Sequence, residues 1–256
     1  MFQVTPIPAF DDNYIWALQV PGSSHIAVVD PGDAAPVEQY LQQKGLSLDA
    51  ILITHHHADH TGGVAQLTAD RAIPVYGSHQ SKFSGVTHPL KQDSSIEVSG
   101  QSLTVAEVPG HTLDHISYYQ PTGNGQLFCG DTLFLAGCGR LFEGSPAQML
   151  AAMRYFRGLP GSTEVYCTHE YSLANLAFAQ AVEPENQAIT NSILDCQQKR
   201  SDKLPTLPGS IATELQINPF MRTDQEAVIK AAEQFDGSKG DETVIFAAIR
   251  EWKNQF

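Results

Sequence analysis

The sequence predicts an α/β body over residues 1–170, followed by a smaller α-helical region over 171–256. Three observations predict it. Short runs rich in β-branched and aromatic residues recur through the first two-thirds, bounded by Gly, Pro, Asn and Asp. Helical patterns are interleaved with them. From about Tyr171 the strand signals fade and helical periodicity takes over.

In chain order, strands are predicted at "YIWALQV" (14–20), "HIAVVD" (25–30), "AILIT" (50–54), "SLTVAEV" (102–108), "HISYYQ" (115–120), "QLFCGD" (126–131) and "EVYCTHE" (164–170). Helices are predicted over 35–44, 62–69 and 146–156, with Pro36 and Pro146 suited to first turns. Beyond Tyr171, "SLANLAFAQAV", "ENQAITNSILDCQQKRSD", "DQEAVIKAAEQF" and "DETVIFAAIREWKNQF" read as helices, and "KLPTLPGS" (203–210) as a loop.

A chain of 256 residues can bury a sizeable core in one or two domains. It holds no internal repeat, low-complexity tract or long like-charge run. The net charge of −13 argues against bulk electrostatic binding to nucleic acid or an anionic membrane. No stretch approaches the roughly 18 apolar residues of a membrane helix. "MFQVTPIPAFDDNYIW" lacks the basic start and apolar run of a secretory signal. Cys129, Cys138, Cys167 and Cys196 follow no CxxC or disulfide-scaffold spacing, so reduced thiols in a cytoplasmic protein are expected. Cys129 and Cys167, each two residues before a candidate ligand, read as buried small side chains at strand ends.

The chemistry gathers at strand ends, where α/β proteins place their sites. "ITHHHADHTGG" follows the apolar run Ile51–Ile53 directly. His55 and His57 lie two apart and point the same way in extended backbone, so they can grip one ion. Asp59 and His60 come after the chain turns, and can face a second ion or a substrate. His56 and Ala58 alternate with these residues and are expected to point away. Imidazole and carboxylate at this density suit Zn, Mn or Fe. Three later fragments repeat the arrangement: "EVPGHTLDH" delivers His111, "LFCGDTL" delivers Asp131 and "VYCTHEY" delivers His169. Seven such side chains exceed one tetrahedral zinc and fit two ions if a carboxylate bridges. Of the other histidines, His79 and His88 are expected in polar loops, His25 begins a strand, and His115, four residues past His111, is expected to be structural, with support of a metal ligand as the alternative.

"THHHADH", "PGHT", "GDTLF" and "THEY", in this order, resemble the metallo-β-lactamase-fold hydrolases. "GDTLFLAGCGRLFEG", with "PAFDDNYIW" before it and "NPFMR" after, resembles the hydroxyacylglutathione hydrolase (glyoxalase II) family across nearly the whole chain. The resemblance implies a four-layer αββα sandwich, residues 1–170, followed by a helical glutathione-binding domain, residues 171–256. It implies His55, His57 and His111 on the first metal, Asp59, His60 and His169 on the second, and Asp131 bridging, with zinc as the expected metal and Fe or Mn as alternatives. Arg140, Phe142, Tyr171, Arg250 and Lys253 are the implied substrate contacts. Two positions depart from the family pattern: Arg140 stands in place of Lys, and Asn254 in place of an acidic residue.

The implied reaction is hydrolysis of S-(2-hydroxyacyl)glutathione, chiefly S-D-lactoylglutathione, the second step of methylglyoxal detoxification. A metal-bridging hydroxide would be the nucleophile, with Asp59 and Asp131 as the catalytic carboxylates. No GxSxG elbow competes for that role. A monomer acting on a small-molecule thioester is expected, without nucleic acid or membrane. Other readings are a non-catalytic metal-binding module or, within the fold, a lactamase, a nuclease or an iron-dependent persulfide dioxygenase. The acidic charge disfavours the nuclease and the helical C-terminal region the lactamase.

Overall fold

The computed structural model describes residues 1–256 as two stacked β-sheets with helices outside them and a helical C-terminal region. The first sheet runs in chain order: β1 (Gln3–Ala9), β2 (Asn13–Gln19), β3 (His25–Val29), β4 (Ser47–Leu52), β5 (Val75–Ser78) and β6 (His88–Leu90). The second is built from β7 (Ser95–Val98), β8 (Gln101–Glu107), β9 (Ile116–Gln120) and β10 (Gln126–Gly130). After a small hairpin, β11 (Leu133–Phe134) and β12 (Gly137–Cys138), come β13 (Glu164–Cys167) and β14 (Gly209–Ser210), giving the order β14-β13-β10-β9-β8-β7. β1 carries two prolines and lies at an edge, where a missing donor breaks no ladder.

Alternation sorts the side chains of the first sheet. Ile15, Ile26, Val28 and Ile51 pack with Val37 and Leu41 of α1 (Ala34–Lys44) and Leu67 of α3 (Val64–Thr68). Their neighbours Trp16, Ala27, Val29 and Leu52 face the second sheet, where Trp16 meets Tyr166 edge-on at 5.1 Å. Burial on both faces is why β3 from Ile26 and the end of β4, Ala50–Leu52, read as continuous apolar runs. Helix α4 (Pro146–Arg157) starts with Pro146 behind a reciprocal Ser145/Gln148 cap. It buries Met149, Leu150, Met153 and Phe156, the i, i+1, i+4, i+7 stripe of a core-facing helix.

The helix expected over 62–69 is instead α3 preceded by a separate turn, α2 (Ala58–Thr61). The reason is close backbone packing: a Cβ on Gly63 would lie 2.6 Å from the Pro31 carbonyl oxygen. His88, expected in a loop, stands on β6 against the Tyr76 ring at 5.2 Å.

The C-terminal region comprises α5 (Ser172–Val182), α6 (Gln187–Ser201), α7 (Ile211–Ile217), a 3₁₀ turn at Pro219–Met221, α8 (Glu226–Asp236) and α9 (Glu242–Gln255). It shares the main core through Leu176, Phe178, Phe220 and Phe246. The stretch expected to be a loop, 203–210, ends in β14, which pairs with β13. Helix α7 also grips the β11–β12 hairpin. Glu214 is fully buried, and its Oε2 accepts from the Ala136 N–H and Asn218 Nδ2, both at 2.9 Å. Asn218 Nδ2 donates in turn to the Gly137 carbonyl at 2.9 Å.

Burial pushes the Glu214 carboxyl up to about 8 from its ordinary 4.5, against the hydrogen bonds from Asn218 and Ala136. The folded state therefore holds this proton more tightly than the unfolded chain. Its contribution to stability is complete below pH 4.5 and is lost as pH rises through about 8. Melting curves from pH 5 to 9 are expected to show a decline on the order of a few kcal/mol in the wild type. Glu214→Gln should flatten this decline; an equal slope in the variant would contradict it.

Candidate metal centre

Strand direction builds the site. β3 and β4 run parallel, and so do β10 and β13; β9 is antiparallel to both β8 and β10, so β8 shares their direction. The C-terminal ends of these five strands gather at one edge of the sandwich. Cross-sheet bonds fasten that edge: the Ile116 N–H donates to Thr54 O at 2.9 Å, the Tyr14 N–H to Thr168 O at 2.7 Å and the Tyr118 hydroxyl to Ile53 O at 2.9 Å. The predicted strands that overran β3, β9 and β13 stop short for related reasons. Asp30 takes φ +53° to turn inward, His115 turns its ring to Asp131, and His169 bridges to Asn13.

All seven predicted ligands come together here, in two nests. In one, His55 Nε2 and His111 Nε2 lie 3.0 and 3.1 Å from His57 Nδ1. In the other, Asp59 Oδ2 lies 3.4 Å from His60 Nε2 and 3.5 Å from His169 Nε2. Asp131 stands between the nests: Oδ1 is 3.5 Å from His60 Nε2, and Oδ2 is 3.6 Å from His111 Nε2 and 3.3 Å from His169 Nε2.

The residues behind the nests decide which ring nitrogen faces inward. Asp30 Oδ2 accepts from His60 Nδ1 at 3.0 Å, and Asp12 Oδ1 from His169 Nδ1 at 2.7 Å. The Arg140 carbonyl accepts from His111 Nδ1 at 2.8 Å. Thr54 Oγ1, whose hydroxyl donates to Asp30, accepts from His55 Nδ1 at 3.1 Å. Each bond places the proton on Nδ1 and leaves the Nε2 lone pair aimed into the cluster, the arrangement found around metal-ligating histidines. Asn13 Nδ2 holds Asp59 Oδ2 at 3.2 Å. His115, expected to be structural, donates through Nδ1 to the Ile116 carbonyl and accepts the Asp131 N–H on Nε2 at 3.1 Å. Its ring stacks on His55 at 4.6 Å. Gly130 lets the chain reach this position, since a Cβ there would lie 2.3 Å from Thr54 Oγ1.

The electrostatics fit a cation. Burial lowers His55 well below its ordinary value, helped by the neighbouring His60 and His115 rings; burial also lowers His57 and His111. The first nest is thus three neutral donors. In the second nest burial opposes charge but loses to the carboxylates. Asp131 and Asp30 raise His60, and Asp131, Asp59 and Asp12 raise His169 to about 10. His169 and His60 hold Asp59 low, and the same two rings hold Asp131 low, both against burial. His60 Nε2 and Asp131 Oδ1 are buried without a hydrogen-bond partner. Buried polar atoms are seldom left so, and inward-facing lone pairs beside carboxylates are the donor set that divalent metals satisfy.

The remaining predicted residues fall at the rim or beneath it. Arg140 is exposed, and Phe142 is 61% exposed with its ring 5.2 Å from His111 and 5.9 Å from His57. Tyr171 stacks flat on His169 at 4.7 Å. Arg250 and Lys253 do not form a solvated helix face. Arg250 is buried, donates from Nη1 to the Cys138 carbonyl at 2.8 Å and lies over Phe220. Lys253 donates to Ala174 O at 3.2 Å, and burial, then Arg250, pulls it down to about 8. Cys129 and Cys167 are fully buried, and all four cysteines are unpaired.

Asp12, Asn13, Asp30, Thr54 and Asp114 were missed from sequence. For Asp30 the signal was present: "HIAVVD" is an apolar strand ending in a carboxylate, the pattern that singled out Asp131. Asp12 lies in the β1–β2 turn and Asn13 opens β2, and neither carries such a mark.

Residues 10–169 match the metallo-beta-lactamase superfamily, and residues 170–256 match the family described as hydroxyacylglutathione hydrolase C-terminus. The chain is 53% identical over 256 residues to a hydroxyacylglutathione hydrolase of Albidiferax ferrireducens, covering 99% of this chain and 100% of that one. It is 48% identical over 258 residues to one from Hahella chejuensis, covering both in full. Among solved structures it is similar to ETHE1 from Myxococcus xanthus, with TM-score 0.65, 22% identity and coverage of 99% and 98%. It also resembles the B3 metallo-beta-lactamase BLEG-1, with TM-score 0.63, 24% identity and coverage of 86% and 99%. At that identity the two structures speak for the fold. The fold and its His/Asp clusters imply divalent metal ions. No helix is long and apolar enough to cross a membrane.

Proposed function

The chain belongs to the hydroxyacylglutathione hydrolase family of the metallo-β-lactamase superfamily, and from that membership we propose that it hydrolyses S-(2-hydroxyacyl)glutathione thioesters, chiefly S-D-lactoylglutathione, to glutathione and a 2-hydroxy acid. The observation that carries this reading is the pair of nests joined by Asp131. His55, His57 and His111 would hold one cation, and Asp59, His60 and His169 another, with Asp131 shared. Zinc suits a site this rich in imidazole. When bound, divalent cations supply acidified water at neutral pH and electrophilic stabilisation of a carbonyl oxygen.

The protein's own residues orient the reaction. Asn13 engages Asp59 Oδ2, leaving Oδ1 to orient the water that, after losing a proton to solvent, adds as hydroxide to the thioester carbonyl carbon. The C–S bond then breaks, and the thiolate leaves with the glutathione moiety. Phe142 and Tyr171 flank the nests, and the exposed Arg140 offers a cation to a glutathione carboxylate. Long-range attraction cannot assist, because the chain carries −13 and the substrate is anionic. Residues 1–170 serve as the catalytic unit in this reading, and 171–256 as the unit that completes the glutathione site. Four unpaired cysteines suit a reducing, cytoplasmic setting, and a monomer is the expected state.

The test is purified protein loaded with Zn, Mn or Fe and assayed for thiol release from S-D-lactoylglutathione, alongside metal analysis. Turnover with two metals per chain is expected; no hydrolysis with any of the three overturns the reading. Arg140→Ala is expected to raise KM by about tenfold, the equivalent of about 1.4 kcal/mol, with kcat nearly unchanged. A fall in kcat instead would move Arg140 from binding to chemistry.

A further inference from the structure

His56, the one histidine of "THHHADH" outside both nests, is not idle. Its side chain is 17% exposed, and its Nδ1 donates to Asp114 Oδ1 at 2.8 Å. On its other side, Nε2 faces Glu143 Oε1 at 3.7 Å. The Lys82 ammonium binds that same oxygen, and Glu143 Oε2 accepts the Leu113 N–H at 2.9 Å. Four separate segments meet here. His56 lies between His55 and His57, Leu113 and Asp114 follow His111, Glu143 adjoins Phe142, and Lys82 comes from the turn after β5.

The segment carrying Arg140 and Phe142 needs such an anchor. It forms no strand or helix, and its backbone reaches the site through the Phe142 and Glu143 N–H groups on the His111 carbonyl at 3.2 and 3.3 Å. Those bonds, with the Gly139 N–H on the Thr132 carbonyl at 3.2 Å and the Gly144 N–H on the Gly110 carbonyl at 3.0 Å, hold the backbone of the segment above the nests. Glu143 adds the side-chain ties on its far side, to Leu113, Lys82 and, across 3.7 Å, His56. Asp114, 3% exposed at its side chain, holds the His56 ring in place from below. The Lys82 ammonium already balances Glu143, so the cluster is a hydrogen-bonded brace rather than another cation site.

We propose that His56, Asp114, Glu143 and Lys82 form a positioning network that holds Arg140 and Phe142 over the metal centre and so sets the grip on the glutathione part of the substrate. This rests on the functional reading above for its ligand, not for its geometry. Mutations in the network should weaken ligand binding while sparing the metals, because no network atom faces either nest. Removing two members should cost little more than removing one, because both act on the same segment.

The experiment measures binding of S-hexylglutathione by calorimetry, metal content, and kcat and KM on S-D-lactoylglutathione for the metal-loaded protein. Glu143→Ala and His56→Ala are each expected to weaken binding and raise KM five- to tenfold, with kcat within threefold and metal content unchanged. The double variant should match the weaker single variant. Glu143→Gln, which keeps an acceptor for Leu113, should recover most of the loss. Lys82→Ala, at an exposed position where folding is not at stake, should weaken binding two- to threefold. Unchanged binding in Glu143→Ala and Lys82→Ala overturns the proposal, as does loss of metal in step with the loss of binding. Wild-type binding without turnover would instead overturn the hydrolase reading and leave this one standing.

Discussion

Asp131→Ala is expected to lower kcat/KM for the thioester by about a thousandfold or more and to leave at most one metal ion bound per chain. Asp131 is the carboxylate that lies within 3.6 Å of histidines from both nests, and its backbone is pinned by His115. Deleting a residue that merely supports a ligand typically costs 10–100-fold, and removing one donor that stabilises developing charge costs about 100–1,000-fold. Losing a shared carboxylate should exceed both. Its removal also takes away the carboxylate that faces His60 and His169, so the second nest loses negative charge that a cation would meet. Metal analysis and steady-state kinetics check this together. Full metal occupancy with wild-type kinetics would remove Asp131 from the site.

Asp30→Ala should be nearly as damaging, by a different route. Asp30 touches no predicted metal position, yet its carboxylate accepts from the Thr54 N–H at 2.8 Å, Thr54 Oγ1 at 2.7 Å and His60 Nδ1 at 3.0 Å. All of these groups are buried. The alanine strands their donors, and stability should fall by about 3–5 kcal/mol, the usual cost of breaking a buried charged network. Asp30→Asn separates the two roles. An amide in place of Oδ2 meets the His60 Nδ1 proton donor-to-donor, which favours the tautomer with hydrogen on Nε2, the nitrogen that faces the second nest. Metal affinity is expected to drop about 10–100-fold while stability falls less than in the alanine variant. Denaturant unfolding and metal titration on both variants measure the two effects; equal metal affinity in wild type and Asp30→Asn would contradict the tautomer argument.

Asp30 also marks the limit of reading strand ends one by one. The rule that found Asp131 after "QLFCG" applies equally to Asp30 after "HIAVV", but Asp30 has no imidazole neighbour in sequence to draw attention to it. The partners that give it meaning, His60 and Thr168, lie 30 and 138 residues away. His115 shows a second limit. Four residues past His111 it reads as a structural residue, and only the turn of its ring onto the Asp131 amide gives it a place in the site. Arg250 resists a sequence reading for a third reason. Helical periodicity says which residues share a face, not what that face meets, and here it meets the hairpin leading to Arg140.

What the sequence by itself determined was the chemistry and its approximate place. Apolar alternation located the central strands, and polar residues at their ends supplied the seven candidate ligands. Their order along the chain was enough to point to the family. Those signals survive because they are local: a strand end, a proline-glycine turn and an i, i+2 pair of histidines are legible within a few residues. Only the tertiary structure decided which nitrogen of each ring faces inward, what holds it there, and which carboxylates His56 meets. Hydrogen bonds act over about 3 Å in space and carry no fixed spacing in sequence. The partners that orient this site, Asp12, Asn13, Asp30, Asp114 and Glu143, become neighbours of its histidines only once the sheets have stacked.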